Sequence, residues 1–269
     1  MAGGMHPERE HVGAPTGLGS VEPITLRTRD QITLRGWYVP SRNGAVIILM
    51  HGYGAQRTQL LPEARALAGN GYGVLLFDLR GHGESGGDGT TWGAVEQLDM
   101  ESALDFAAKR PEVDPQRIGA LGFSIGAMAV AQVAARDARI GAAVLEGAFT
   151  SLEEMIRHDE SRWGWWSEWI ATETLRTRGI ELSALRPADV VCRIAPRPIL
   201  IINGTEDEDT PLQTAQLLFK AACAPKELWL IPGAHHSGYA AAAGPAFGKR
   251  IVRFFDASMP RVLPAPERP

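Results

Sequence analysis

Arg117–Ala135 reads RIGALGFSIGAMAVAQVAA. Its first five residues are an apolar, β-rich run, and its last nine are a run of helix formers. Between them stands Gly122-Phe123-Ser124-Ile125-Gly126. A serine between a strand and a helix must sit on a very tight turn, and small residues two places before and after it let the backbones pack closely. Such a turn projects the hydroxyl into a cleft and aims the helix N-terminus at it. With 30 glycines in the chain the pentapeptide alone is weak. Its position between strand and helix makes it specific.

Outward from this point the same alternation repeats. Val46–Met50, Val74–Phe77, Ala143–Leu145, Ile199–Ile202 and Leu228–Ile231 are short apolar runs of the kind that strands covered on both faces require. Leu60–Ala68, Ala94–Lys109, Leu212–Ala222 and Ala246–Phe255 read as helices between and after them. Alternating strands and helices predict a mostly parallel central sheet with helices on both faces. Ile24–Thr28 and Ile32–Val39 flank Arg29-Asp30-Gln31 and predict an antiparallel N-terminal hairpin. No internal repeat is present.

One interval breaks the alternation. Phe149–Arg197 has no clear core strand and holds Trp163, Trp165, Trp166 and Trp169, four of the seven tryptophans. Trp163, Trp166 and Ile170 fall at helical spacing. The reading is a helical lid inserted at about 150–190, over the carboxyl edge of the sheet. A helix packed wholly into the core is the alternative. Flexible tails are expected at 1–20 and, Pro-rich, at 259–269, leaving 21–258 as one domain.

Length and charge limit the function classes. A chain of 269 residues buries roughly three quarters of its unfolded surface and needs no metal to fold. A net charge of −4 leaves no footprint for nucleic acid and no basic stripe for an anionic membrane. No apolar run approaches the length of a membrane span, and residues 1–20 lack the apolar core of a signal peptide. A cytoplasmic protein is therefore expected, with Cys192 and Cys223 as two buried or free thiols in a reduced compartment and one bridge between them as the alternative. No sequence feature fixes the oligomeric state.

Ligands of such sheets bind at the carboxyl ends of the strands. A serine hydroxyl there is a poor nucleophile without a base, and the base needs a group to orient it. The run Ile199–Ile202 leads into Asn203-Gly204-Thr205-Glu206-Asp207-Glu208-Asp209-Thr210-Pro211. Leu228–Ile231 leads into Pro232-Gly233-Ala234-His235-His236-Ser237-Gly238. An acid loop followed by a histidine loop, both after the serine, is the order that a strand–turn–helix nucleophile requires. His235 and His236 are adjacent and do not converge like an i, i+4 metal pair, the acid loop lacks calcium-loop spacing, and no phosphate-binding lysine follows Gly81-His82-Gly83-Glu84-Ser85. No cofactor and no metal are expected.

Five motifs in order resemble the α/β-hydrolase superfamily. They are His51-Gly52-Tyr53-Gly54, Asp78-Leu79-Arg80-Gly81-His82-Gly83-Glu84-Ser85, the elbow Gly122–Gly126, Gly204–Pro211, and Gly233-Ala234-His235-His236. The resemblance runs from about Ile24 to Phe255 and is similar in detail to bacterial carboxylesterases and the group joining them to serine aminopeptidases. It implies Ser124 as nucleophile, Asp207 as acid and His236 as base, with His235 as the alternative where relatives carry glycine. It implies an oxyanion hole from the N–H groups of Ile125 and Tyr53. Tyr53, Phe149, Trp163 and Trp166 are expected to line the substrate pocket. His51 and His82 are read as structural, and Asp78 with Arg80 as a charge-assisted brace.

The function expected is hydrolysis of a small or medium carboxylic ester through an acyl-enzyme, since a tryptophan-rich cover suits an apolar acyl or alcohol group. Small-molecule esters are the expected partners, with no nucleic acid and no stable membrane insertion. A peptidase or amidase on the same triad remains open, and would use Glu146, Glu153 or Glu154 as a clamp for an amine. An acyltransferase, and a ligand-binding module without turnover, remain open too.

Overall fold

The computed structural model describes residues 7–259 apart from Glu8, Glu10, Ala14, 161–164 and Arg178. The strands are β1 (Glu22–Arg27), β2 (Thr33–Val39), β3 (Val46–Met50), β4 (Gly73–Phe77), β5 (Ile118–Phe123), β6 (Ile140–Glu146), β7 (Ile199–Gly204) and β8 (Lys226–Ile231). They form one eight-stranded sheet in the order β1-β2-β4-β3-β5-β6-β7-β8. β1 and β2 make the expected antiparallel hairpin, β2 runs antiparallel to β4, and the remaining pairs are parallel. This is the α/β-hydrolase fold.

The helices are α1 (Leu61–Gly69), α2 (Gln97–Ala107), α3 (Ile125–Arg136), α4 (Leu152–Glu160), α5 (Trp165–Thr177), α6 (Pro187–Val190), α7 (Leu212–Ala221), α8 (Tyr239–Ala243) and α9 (Pro245–Ser258). Strand alternation divides the core between the two faces of the sheet. Ile48, Met50, Leu75, Phe77 and Ala120 join residues of α2 and α3 on one face. Ile47, Leu49, Leu76, Leu121, Phe123 and Val144 join residues of α1 and α9 on the other. Every residue of β3, β4, β5 and β7 is buried, which is why these strands read as unbroken apolar runs.

The insertion between β6 and β7 is helical, as expected, but its packing differs from the expectation. On α5 the buried residues are Ser167, Ala171 and Leu175, one stripe at four-residue spacing. Trp166 and Trp169 lie on the other side, 52% and 61% exposed, beside Ile170 at 50%. Trp166 and Trp169 therefore do not form a buried apolar cover. Leu152, Met155 and Ile156 of α4, with Leu175 of α5, seat the insertion on the core instead. The smaller, more aliphatic side of α5 fits closer to the neighbouring helices.

One other expectation changes. Cys192 and Cys223 are both exposed and joined in a disulfide that closes 31 residues of chain. It ties the turn before β7 to the segment between α7 and β8. Among the described residues near the N-terminus, Arg9 donates to the carbonyls of Ser85 and Gly87, and Leu18 is buried. At the other end Met259 is buried and its carbonyl accepts two N–H groups of Arg117 at 3.1 Å. No described helix is long and apolar enough to cross a membrane.

Candidate active site

Ser124 sits between β5 and α3 with φ 52° and ψ −117°. That backbone geometry costs a residue with a side chain roughly 1–3 kcal/mol and persists only where its surroundings impose it. They do so here. The Ser124 N–H donates to the carbonyl of Glu146 on β6 at 2.8 Å. A Cβ at Gly126 would lie 2.3 Å from the Met50 carbonyl, and one at Gly122 would lie 2.4 Å from the Gly126 carbonyl. Only glycine permits these approaches, so the two glycines of the pentapeptide set the turn and the turn sets the hydroxyl at the carboxyl edge of the sheet. α3 starts at the next residue, with the first N–H groups of a helix lacking partners within it.

Asp207 and His236 reach the same edge on the loops after β7 and β8. His236 Nδ1 lies 2.9 Å from Asp207 Oδ2 and 3.1 Å from Oδ1. The Asp207 side chain is fully buried and that of His236 is 17% exposed. The carboxylate also accepts the Thr210 N–H and the Thr210 hydroxyl, both at 2.7 Å, the Asp209 N–H at 3.0 Å, and the Tyr239 hydroxyl. Burial works to raise the Asp207 carboxyl, but the hydrogen bond and charge of His236, aided by Tyr239 and Thr210, outweigh it and hold the group below the ordinary range. A neutral His236 that donates from Nδ1 keeps its lone pair on Nε2. Its ring packs 4.6 Å from Phe123, the residue before the serine. Gly147 follows Glu146, and a Cβ there would come within 3.0 Å of His236 Cε1. His235 is elsewhere: its side chain is 62% exposed and faces Glu206 at 3.5 Å and Glu208 at 3.9 Å.

The other expected residues divide clearly. Tyr53 packs against the core cluster with its ring stacked on Trp92, and Phe149 is buried in that cluster. Trp163 lies outside the described residues. Trp166 is on the exposed side of α5. His51 donates and accepts as a loop brace, its Nε2 taking the Leu79 N–H at 3.0 Å and its Nδ1 meeting the Gly52 carbonyl at 2.7 Å. His82 bridges the Arg80 carbonyl and the Gly54 N–H. The brace at Asp78 has a different partner from the one expected. Asp78 accepts the N–H groups of Arg57 and Glu84 and pairs with the Arg57 guanidinium, whereas Arg80 pairs with Asp99 and Asp30. Chain neighbours two apart on a turn diverge, so each finds its own counter-ion.

Of the acids considered for an amine clamp, Glu153 pairs with Arg186 at 2.7 Å, and Glu154 accepts from Thr150 and Thr214. Glu146 is buried beneath the elbow. Sequence reading passed over Tyr239, Thr210, Trp92 and Glu96. Thr210 sits inside the acid motif and was legible in principle. Tyr239 and Trp92 belong to no spacing rule, because they meet the site through tertiary packing.

Fold, elbow and motif order define a serine hydrolase of the α/β-hydrolase superfamily. The chain belongs to the prolyl oligopeptidase family, whose profile matches residues 59–260. Among sequence relatives, the uncharacterized protein YfhR of Escherichia coli K12 is 29% identical over 245 residues, spanning 87% of this chain and 80% of that protein. Rv2307c of Mycobacterium tuberculosis H37Rv is 30% identical over 227 residues, 83% and 75% of the two chains. Among solved structures, an esterase of Pyrococcus furiosus, Pf2001, superposes with a TM-score of 0.80 at 25% identity, covering 95% of this chain and 98% of its own.

Proposed function

We propose that the chain cleaves carboxylic esters of small to medium size through an acyl-enzyme on Ser124. The observation that carries this reading is the buried Asp207 carboxylate bonded to His236 Nδ1 at 2.9 Å, on the sheet edge that bears the elbow. In the first half-reaction His236 Nε2 takes the Ser124 proton as the hydroxyl oxygen attacks the acyl carbonyl. Asp207 holds the Nδ1–H tautomer and stabilises the imidazolium. The N–H groups of Ile125 and Tyr53 receive the oxyanion, each such donor being worth roughly 3–4 kcal/mol of barrier. The alcohol departs with the proton from His236. Water then attacks the acyl-enzyme with the same groups in the same roles, and the acid leaves.

Peptide or amide cleavage on the same triad is the second reading, favoured by membership of the prolyl oligopeptidase family. Against an aminopeptidase stand the engaged carboxylates of Glu153 and Glu154. The likeness to the Pyrococcus esterase favours esters. On compartment, an exposed disulfide belongs to oxidising surroundings and argues against the cytoplasmic location expected from sequence. Turnover of nitrophenyl butyrate and of an aminoacyl nitroanilide by the pure protein, each beside Ser124→Ala, tests the reading. Ester turnover abolished in the variant supports it. Ester turnover that persists removes Ser124, and turnover of the amide alone makes the protein a peptidase.

A further inference from the structure

Beneath the elbow, on the side of the sheet covered by α1 and α9, two carboxylates are buried together. Glu63 is in the first turn of α1 and is 4% exposed. Glu146 ends β6, is 1% exposed, and shares with Phe123 a register pair at the carboxyl edge. Both line one small cavity of about 50 Å³, walled by Leu60, Pro62, Phe123 and Ala240, with Gln59 and Ser237 at its rim. One oxygen of each, Glu63 Oε2 and Glu146 Oε1, has no hydrogen-bond partner.

The other buried acids of the molecule are compensated. Asp78 has Arg57, Asp99 has Arg80, Asp207 has His236, and the Glu96 carboxylate accepts from Thr90, Thr91 and Gly93. Among the described residues no arginine, lysine or histidine pairs with Glu63 or Glu146. Burial raises both carboxyls, and the charge of Glu63 raises Glu146 further. One proton held between them removes one negative charge. The second still faces a largely apolar wall, where an unpaired charge costs several kcal/mol.

The geometry points to a binding site for one small monovalent cation in the Glu63–Glu146 cavity. Its volume holds one or two water-sized species, a water taking about 30 Å³ in the liquid. Oxygen donors are at hand in the two unpartnered carboxylate oxygens and the Ser237 hydroxyl at the rim. Charge favours a monovalent ion: with one proton shared the pair carries one negative charge, and among the described residues no third histidine, cysteine, aspartate or glutamate joins it to balance a divalent ion. The rim contact from Gln59 Nε2 to the Ser237 hydroxyl, 3.5 Å, gives an entry that a small ion can open. A cation seated there adjoins Phe123 and Tyr239, which in turn touch His236 and Asp207.

The test reads stability, so it stands whether or not the ester reading holds. The full chain is exchanged into tetramethylammonium chloride, an ion too large for the cavity. Sodium, potassium or ammonium chloride is then substituted at constant ionic strength, and Tm is followed. At least one of the three is expected to raise Tm saturably, by about 2–3 °C at ten times its half-saturating concentration. Ser124→Ala is expected to respond equally. Glu63→Gln and Glu146→Gln are expected to lose the response. If either fails to fold, Glu63→Asp, which keeps the charge and shortens the reach, is expected to shift half-saturation at least tenfold. Identical Tm in all four salts overturns the site and leaves a shared proton. A saturable response that survives in the glutamine variants, or unshifted in the aspartate variant, also overturns it by placing the ion elsewhere.

Discussion

The rings of Tyr53 and Trp92 are stacked, their centroids 5.7 Å apart and their planes 12° from parallel. Trp92 takes part with a backbone φ of 54°, a left-handed value that costs a bulky residue energy. Its loop is held by Glu96, which accepts the Thr91 N–H at 2.7 Å and the Gly93 N–H at 2.9 Å. Gly93 in turn presses on α3, where a Cβ would lie 3.0 Å from the Ile125 carbonyl. The stack and the Gly93 approach together link Tyr53 to Ile125, whose N–H groups form the proposed oxyanion hole. Trp92 is expected to act as the wall that limits acyl length. Trp92→Ala should lower the ratio of kcat/KM for butyrate over octanoate nitrophenyl esters about tenfold or more, while Trp92→Phe keeps it. An unchanged ratio in a folded Trp92→Ala protein would rule the wall out.

We propose Tyr239 as a positioning residue for Asp207. Its hydroxyl donates to Oδ2, the oxygen nearest His236 Nδ1, and it is 2% exposed. Tyr239→Phe removes one charge-assisted hydrogen bond and leaves the ring's packing intact. With the Thr210 donors still present, kcat for the ester should fall about tenfold with KM unchanged, since an orienting bond acts on the reacting imidazole and not on ground-state binding. A rise in KM at constant kcat would place Tyr239 in the substrate pocket instead.

What could be read from the chain alone follows from how local each signal is. β3 is predicted residue for residue because a doubly buried parallel strand must be an unbroken apolar run, and Val46–Met50 is one. The elbow is legible because its glycines answer to backbone approaches within ten residues of chain and one neighbouring strand. Choosing His236 over His235 took a family likeness, as nothing in two adjacent histidines tells which one turns inward. The orientation of α5 is not legible in the sequence because both sides of that helix carry apolar residues, and the choice between them is made by α4 and the core beneath. Glu63 and Glu146 are 83 residues apart by their numbers, and no one-dimensional pattern brings them together. The disulfide is of the same kind.

Cys192–Cys223 fastens the segment that enters β7 to the one that enters β8, the two strands whose far ends carry Asp207 and His236. Closing 31 residues restricts the unfolded chain by about 3–4 kcal/mol in the chain-entropy account. Reduction under native conditions, or Cys192→Ser with Cys223→Ser, should lower Tm by roughly 6 °C. Ester turnover at 25 °C should change less than twofold, because the crosslink lies at the opposite ends of the strands from the site. Equal Tm with and without reductant would show that the thiols are unpaired in solution.

His51 should mark the acid side of the stability curve. Buried to 1% exposure, it is held neutral, with burial first and the neighbouring His82 second pushing its pKa down to about 3 from the ordinary 6.5. Between those values the unfolded chain binds a proton at this position and the folded chain does not. Stability therefore rises with pH across the window and is lost as pH falls below 6.5, by up to about 1.4 kcal/mol per pH unit from this group. Buried carboxyls such as Asp99, raised to about 7 by burial, slope the other way, so the whole-protein curve mixes the two signs. The difference between wild type and His51→Gln isolates the histidine. Glutamine can still accept the Leu79 N–H and donate to the Gly52 carbonyl, but it does not titrate. Urea unfolding at pH 7.5, 6 and 5 should show the wild type losing stability relative to His51→Gln as pH falls. Parallel curves would mean that His51 takes up its proton in the folded state, and that the loop it braces opens to water.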